Sequence, residues 1–219
     1  MAISSSKQER ELVHLTYDKI AEHFSATRHS VWPDVSEFLE TVEPGSLILD
    51  NGCGNGKNCN RGDCIFIGTD TCRKFLEISG ERTEVLDTSA MNGKMLAFRD
   101  NCFDYVLSIA VIHHIYSQED RVKAINEIAR VLRPGGRALI SVWSKHKHYD
   151  YGDNIIPWNL QARHSSNGGE DTIVERYYHL FRREDFIRLI NKVPELEIVK
   201  INECYNNFFA TVSRKLSED

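Results

Sequence analysis

Residues 46–57 read SLILDNGCGNGK, an apolar run that empties into a loop with glycine at every second position. Ser46 to Leu49 is short and apolar enough for a buried strand, and Asp50 closes it. Glycine at 52, 54 and 56 allows positive φ and lets a ligand approach the backbone with no Cβ in the way. A strand that runs out into such a loop marks a ligand crevice at the carboxyl ends of a parallel sheet. The spacing Asp50-x-Gly52-x-Gly54-x-Gly56 is not the G-x-G-x-x-G of dinucleotide folds, which disfavours a pyrophosphate cofactor.

The segments that follow repeat the theme. Cys64 to Thr69 is a second strand ending at Asp70, whose carboxylate can accept both hydroxyls of a ribose. Asp70 also precedes the helical pattern Arg73-Lys74-Phe75-Leu76 and suits an N-cap, and the two roles are compatible. Thr83 to Leu86 reads as a third strand, ending at Asp87, where a side chain can face an adenine amino group. Asn101 to Ala110 is a fourth. A glycine loop and acids at successive strand ends resemble the Rossmann-like class I S-adenosylmethionine methyltransferases. That resemblance implies an α/β fold with a mostly parallel seven-stranded sheet and a C-terminal antiparallel hairpin. Glu197–Asn202 and Phe208–Val212 supply the hairpin. Gly52, Cys53, Gly54, Asn55, Gly56 and Lys57, with Asp50, Asp70, Asp87 and Ala110, become the expected cofactor-binding set. Only Asn58 to Asp63 separates the loop from the second strand, too few residues for a crossover helix. The helix there should be a single turn or absent, so binding falls to backbone amides and loop shape rather than a helix dipole.

At 219 residues the chain fits one domain with a substantial core. Its expected parts are N-terminal helices over the cofactor cleft (1–44), a cofactor-binding core (45–143), a substrate-side insertion (144–190) and the closing hairpin (191–219). No run of about 18 apolar residues exists, and the first residues lack the apolar core of a secretory signal, so the cytosol is expected. Cys53, Cys59, Cys64 and Cys72 crowd together, yet no C-x-x-C pair forms, and no metal site is expected. The formal charge of −5 argues against a freestanding nucleic-acid binder. Local basic faces remain at Lys145-His146-Lys147-His148 and Arg182-Arg183, each equally readable as a solvated loop or helix end.

Along the chain, Lys7 to Phe24 reads as an amphipathic helix lying across the cofactor mouth. The connector from Phe24 to Pro33 carries Arg28, His29 and Trp32, chemistry that folding alone does not ask for. Val35 to Val42 is a helix with a capping box from Asp34 and Glu37. The fourth strand is expected to continue through Ile115, delivering His113 and His114 at its carboxyl end. Arg121 to Leu132 is a helix, and Arg137 to Trp143 is a fifth strand. Residues 144–174 show little periodicity, and Asn167-Gly168-Gly169 reads as a mobile loop. Arg176-Tyr177-Tyr178-His179 is polar-aromatic chemistry on a connector, and Asp185 to Ile190 is a helix.

Together Phe24-Ser25-x-Thr27-Arg28-x-x-x-Trp32-Pro33, the glycine loop, Ile109-Ala110-Val111-Ile112-His113-His114 and Arg176-Tyr177-Tyr178-His179-Leu180-Phe181 resemble the eukaryotic tRNA carboxymethyluridine methyltransferases. The resemblance spans nearly the whole chain. Asn51 stands where valine is expected, and the insertion after Trp143 is shorter than in the fungal enzymes. What the resemblance implies is methylation of the carboxylate of 5-carboxymethyluridine at the tRNA wobble position, with S-adenosylmethionine as cofactor. It also implies two partners, the tRNA anticodon loop and a small zinc-binding activator shared among methyltransferases. The activator would form a heterodimer by pairing with a sheet edge near Thr83–Leu86.

In that frame Arg28 orients the substrate carboxylate or clamps the cofactor's own, and Arg176 is a second candidate cation. His113 or His114 hydrogen-bonds the substrate, while Trp32 or Tyr177 stacks on the base. Alternatives are a quinone-type small-molecule methyltransferase, which needs a catalytic base, and a non-catalytic scaffold subunit.

Overall fold

The computed structural model describes residues 5–82, 86–146, 148–161 and 171–216. The apolar run after Ser46 becomes β1, Leu47–Asn51, two residues longer than its hydrophobic core because Asp50 and Asn51 stay in the ladder. It is the third strand of a seven-stranded sheet. On one side come β2 (Ile65–Asp70), which leads into the helix α4 (Arg73–Arg82), and the edge strand β3 (Leu86–Ala90). On the other come β4 (Phe103–Ile109), β5 (Leu132–Trp143), β9 (Asn207–Arg214) and, at the far edge, β8 (Leu196–Cys204). The first five strands are mutually parallel, while β9 runs antiparallel to both β5 and β8. This is the Rossmann-like arrangement with a closing hairpin that the strand pattern implies. β1 and β4 are apolar on both faces because helices cover both.

One face packs on α5 (Gln118–Val131) and α6 (Arg183–Ile190) through Ala124, Ile125, Ile128, Phe186 and Ile190. The other packs on α3 (Pro33–Glu40) through Val35, Phe38 and Leu39. α5 is N-capped by Ser117, whose Oγ accepts from the Asp120 amide at 3.1 Å. Residues 52–64 form turns with no helix, as the short spacing requires. The strand order reverses between β1 and β4, and a crevice opens outside their carboxyl ends.

Several elements differ from the sequence reading. Trp32, not Asp34, occupies the N-cap of α3, and Pro33 takes the first helical position. The Asp34 carboxylate instead accepts from Asn202 Nδ2 at 3.0 Å, and Glu37 pairs with Lys200 at 2.6 Å, so no capping box forms. β4 stops at Ile109; Ala110 turns with φ +61° and the two histidines sit on a short 3-10 turn, Ile112–His114. The stretch after Trp143 is not aperiodic. β6 (Gly152–Leu160) and β7 (Thr172–Leu180) form a separate antiparallel ribbon, hidden in the sequence because its inner face mixes Arg176 with aromatic rings. Asn167–Gly169 lies outside the described residues.

The N-terminal helix is interrupted. α1 (Ser5–Glu9) passes through a π-turn, Arg10–His14, into α2 (Leu15–Ala26). The wider turn brings Glu9, Val13 and His14 to the crevice. Glu9 is 5% exposed, and its carboxylate accepts from Lys94 Nζ at 2.7 Å and from the Tyr116 amide at 3.1 Å. Among the described residues, no helix is long and apolar enough to cross a membrane.

Removing Lys94 leaves the Glu9 charge buried without its cation. Lys94→Ala should therefore speed amide exchange across residues 9–26 about tenfold while the central strands stay protected, as read by hydrogen-exchange mass spectrometry.

Candidate active site

The glycine loop is shaped by contacts that only it can make. Gly52 has φ +81°, and its amide donates to the Thr69 carbonyl at 2.7 Å. A Cβ at Gly52 would meet Val111 Cγ2 at 2.2 Å. Gly54 has φ +53°, and its amide donates to Asp70 Oδ2 at 2.9 Å. Nothing stands within 4 Å of a Cβ built there, so open space lies over the loop backbone. Asp70 Oδ1 accepts from the Cys72 amide at 2.9 Å. Burial raises its pKa to about 6, with the backbone donors opposing, so it is ionised at neutral pH. Ala110, a non-glycine residue in left-handed space, is held by its amide donating to Ser141 Oγ at 2.9 Å.

Asp50 is fully buried and does not border the cleft. Its Oδ2 accepts from Asn58 Nδ2 at 3.4 Å, and burial pushes its pKa up to about 7. Gly56 shapes the loop with φ +73° but also stands back from the cleft.

The loop stitches the Arg28–Trp32 connector to the sheet. Asn55 Nδ2 donates to the Arg28 carbonyl at 3.0 Å, and Lys57 Nζ to the Ser30 carbonyl at 3.2 Å. Lys57 also sits 4.8 Å from the Trp32 ring centroid. Burial, and then the neighbouring Arg28 charge, lower the Lys57 pKa.

The two histidines have distinct bonding. His114 Nδ1 faces the Tyr177 carbonyl at 3.0 Å and so carries the proton, leaving Nε2 to accept from Tyr17 Oη at 3.0 Å. Tyr178 Oη then donates to Tyr17 Oη at 3.1 Å and accepts from Arg176 Nη1 at 2.8 Å. A single directional chain thus runs from Arg176 through two phenols to His114. His113 Nδ1 accepts from the Trp143 amide at 3.1 Å, so its proton is on Nε2, which has no partner. Burial lowers both imidazoles, His114 to about 3 and His113 well below its usual value.

Arg176 is 4% exposed, lies 4.7 Å from the Trp158 ring, and leaves Nε without a partner. No carboxylate pairs with it among the described residues. Arg28 lies against the same indole at 5.6 Å.

One cleft of about 200 Å³ is therefore bordered by Arg28, Trp32, His113, His114 and Arg176. Gly52, Cys53, Gly54, Asn55, Lys57, Asp70 and Ala110 border it too. Asp87 and Tyr177 do not. Asp87 is the second residue of β3, exposed, because that strand begins where the sequence pattern ended it; Met91 and Asn92 stand beyond its tip and border the cleft instead. Tyr177 is buried on the opposite face of β7, donating to Asp153 Oδ1 at 2.6 Å and accepting from Arg121 Nη2 at 2.8 Å, so it has no ring face for a base. Tyr17, Tyr178 and Glu9 border the cleft without having been assigned to it. Strand alternation would have paired Tyr178 with Arg176 had residues 172–180 been read as a strand. Asn51 is not an idle departure either: it is 2% exposed, borders the cleft, and its Nδ2 has no partner.

A family model described as a methyltransferase domain matches residues 49–140. The tRNA (carboxymethyluridine(34)-5-O)-methyltransferase of Schizosaccharomyces pombe is 35% identical over 202 residues, covering 83% of this chain and 87% of that protein. The chain belongs to this family. The Xenopus tropicalis tRNA (carboxymethyluridine(34)-5-O)-methyltransferase alkbh8 is 31% identical over 90% of this chain, which spans only 40% of that longer relative. Among solved structures, a Haloferax volcanii methyltransferase in complex with the Trm112 methyltransferase activator superposes with a TM-score of 0.69 at 15% identity. That likeness covers 95% of this chain and 97% of the other, and it is one of fold. The glycine loop is thus held by Asp70, and His114 by the Tyr17–Tyr178–Arg176 chain.

Two outcomes follow from this geometry. Gly52→Ala meets both the positive φ and Val111, and should cost about 2–4 kcal/mol in chemical denaturation. Adding Val111→Ala should recover only the steric part. For the histidines, the unfolded imidazoles take up protons from about pH 6.5 downward, while folded His114 resists to about 3. Stability is therefore lost as pH falls through that window. His114→Gln should reduce the stability lost between pH 6.5 and 4.5 by up to about 2.7 kcal/mol. Asp50 acts with the opposite sign, its raised pKa favouring the fold at low pH, but it is common to both proteins and cancels.

Proposed function

We propose that this chain methylates the carboxylate of 5-carboxymethyluridine at the tRNA wobble position to the methyl ester, using S-adenosylmethionine. It does so as the catalytic subunit of a cytosolic complex with a small zinc-binding activator. The observation that carries the reading is Arg176, a buried guanidinium bordering the cleft with no carboxylate partner among the described residues and a free Nε. A buried cation of this kind is completed by an anionic ligand.

The cleft fits the cofactor. Asp70 spends two of its roughly four acceptor positions on Gly54 and Cys72, keeping two for ribose hydroxyls. The open backbone above Gly54 and the unpartnered Asn51 amide offer further contacts. When bound, the sulfonium supplies an electrophilic methyl group.

The chain's own residues do the rest. Arg28 and Arg176 both lie against the Trp158 ring, two guanidiniums for two carboxylates. Arg28, beside Lys57 and the loop, takes the cofactor's carboxylate; Arg176, fixed by Tyr178 and Tyr17, takes the acceptor's. A carboxylate of pKa about 4 is already ionised at neutral pH, so no base is needed. His113 donates its Nε2 proton to an acceptor oxygen or to the uracil, and Trp32 stacks on the base. Alignment and exclusion of water supply the rate. A base-dependent, quinone-type reaction is disfavoured because neither imidazole has a spare lone pair: His114 spends both nitrogens, and His113 Nδ1 is taken by Trp143.

The activator reading rests on the family and on β3, the edge strand of the sheet. Residues 83–85 of the expected contact lie outside the described residues, and Leu86–Ala90 continues it.

The test is transfer of labelled methyl to bulk tRNA, with and without the zinc-binding partner, followed by nucleoside analysis. An alkali-labile label on a modified uridine is expected; an alkali-stable one overturns the reading. Arg176→Gln should lower kcat/KM about a hundredfold, roughly 2.7 kcal/mol, with cofactor affinity in calorimetry unchanged. Arg28→Ala should weaken cofactor binding, and unchanged binding and turnover would remove it from the site.

A further inference from the structure

The two basic stretches on either side of the ribbon are far apart in sequence but meet at one point. Tyr151, 38% exposed, precedes β6, and its ring lies 4.7 Å from the Arg182 guanidinium and 5.8 Å from Lys145 Nζ. Lys145 follows β5, and Arg182 precedes α6. They converge because the chain after Trp143 and the chain after Leu180 are tied together, the Phe181 amide donating to the Trp143 carbonyl at 2.9 Å. The junction lies at the carboxyl end of β5, the same edge of the sheet as the cleft.

It is also connected to the cleft. Trp143 borders the cavity, and His146 lies almost parallel to its indole at 6.2 Å. His146 in turn neighbours His148 at 6.1 Å. The β8–β9 turn joins the same edge, where the Ser144 amide donates to the Asn206 carbonyl at 2.9 Å, and it presents Tyr205, 72% exposed. Two carboxylates share the neighbourhood: Asp150 pairs with Lys145 at 3.2 Å, and Glu203 accepts from Ser144 Oγ at 3.3 Å. No carboxylate pairs with Arg182 among the described residues.

We propose that Lys145, Tyr151 and Arg182 form the RNA grip beside the active site, binding the phosphodiester backbone of the nucleotides that flank the methylated base. The Arg182 guanidinium and the Lys145 ammonium, both held against the Tyr151 ring, meet phosphates, and the exposed part of the ring lies against one unstacked base. Single-stranded RNA is held in this way, by stacking platforms inside a positive track. The patch is local, within a chain whose formal charge is −5, so its contribution is positional rather than a general attraction to polyanions. This assignment rests on the tRNA reading above.

The experiment separates the two. Binding of bulk tRNA is measured across a salt series for the wild-type complex, Lys145→Gln/Arg182→Gln and Tyr151→Ala. Lys200→Gln, on the far-edge strand β8, is the control. Methyl transfer is assayed in parallel, with cofactor binding and melting temperature as checks of folding. The double variant should raise KM for tRNA at least tenfold, leave kcat within twofold, and reduce the salt slope of log K by about 1.4. Tyr151→Ala should raise KM with no change of slope, and Lys200→Gln should change neither. Wild-type methylation of tRNA with unchanged KM and slope in the variants overturns the grip. Equal loss in the Lys200 control overturns it as well. Absence of methyl transfer to tRNA by the wild-type complex instead overturns the reading of the acceptor, while the binding series still decides the grip.

Discussion

The Asp70 carboxylate ties together the two turns that make the cleft. It accepts from Gly54 in the glycine loop and from Cys72 at the start of the helix after β2. A loop of 13 residues with no helix has few other means of keeping its shape. Once it is fixed, Asn55 and Lys57 can reach across to the Arg28 and Ser30 carbonyls. The connector that carries Arg28 and Trp32 therefore inherits its position from an acid on a neighbouring strand. The carboxylate that the proposed reading assigns to a ribose thus also organises the backbone around it.

Two further constraints act at the tip of β4. Ala110 adopts a left-handed conformation and Gly52 approaches Val111 closely, so two chain segments pack with no spare volume. The following turn then delivers His113 and His114 in different states of use. One is bonded at both nitrogens, and the other keeps a donor unspent. Adjacent and chemically identical in sequence, they are separated only by what surrounds each ring.

The central sheet was legible because β1, β2 and β4 are largely apolar and the first two run out at Asp50 and Asp70. The absent helix after β1 followed from counting residues alone. What escaped the sequence had physical causes. β3 was displaced, its start by three residues and its end by four, because Thr83–Leu86 and Leu86–Ala90 are equally poor in apolar alternation. The ribbon was missed because its inward positions include Arg176 and Tyr178, which a hydrophobic period does not detect. That error carried Tyr177 into the site and left Tyr178 out of it. The convergence of Lys145 and Arg182 on one tyrosine depends on the bond between Phe181 and Trp143, which no local pattern encodes.

The ribbon's independence has an architectural meaning. β6 and β7 bond to each other and not to the seven strands, yet they supply a guanidinium and a phenol that border the cleft. On the proposed reading, the part that holds the cofactor and the part that meets the acceptor are thus separate building blocks. A lineage can exchange the second for another hairpin, and so acquire a new acceptor, without disturbing the strand tips beneath it.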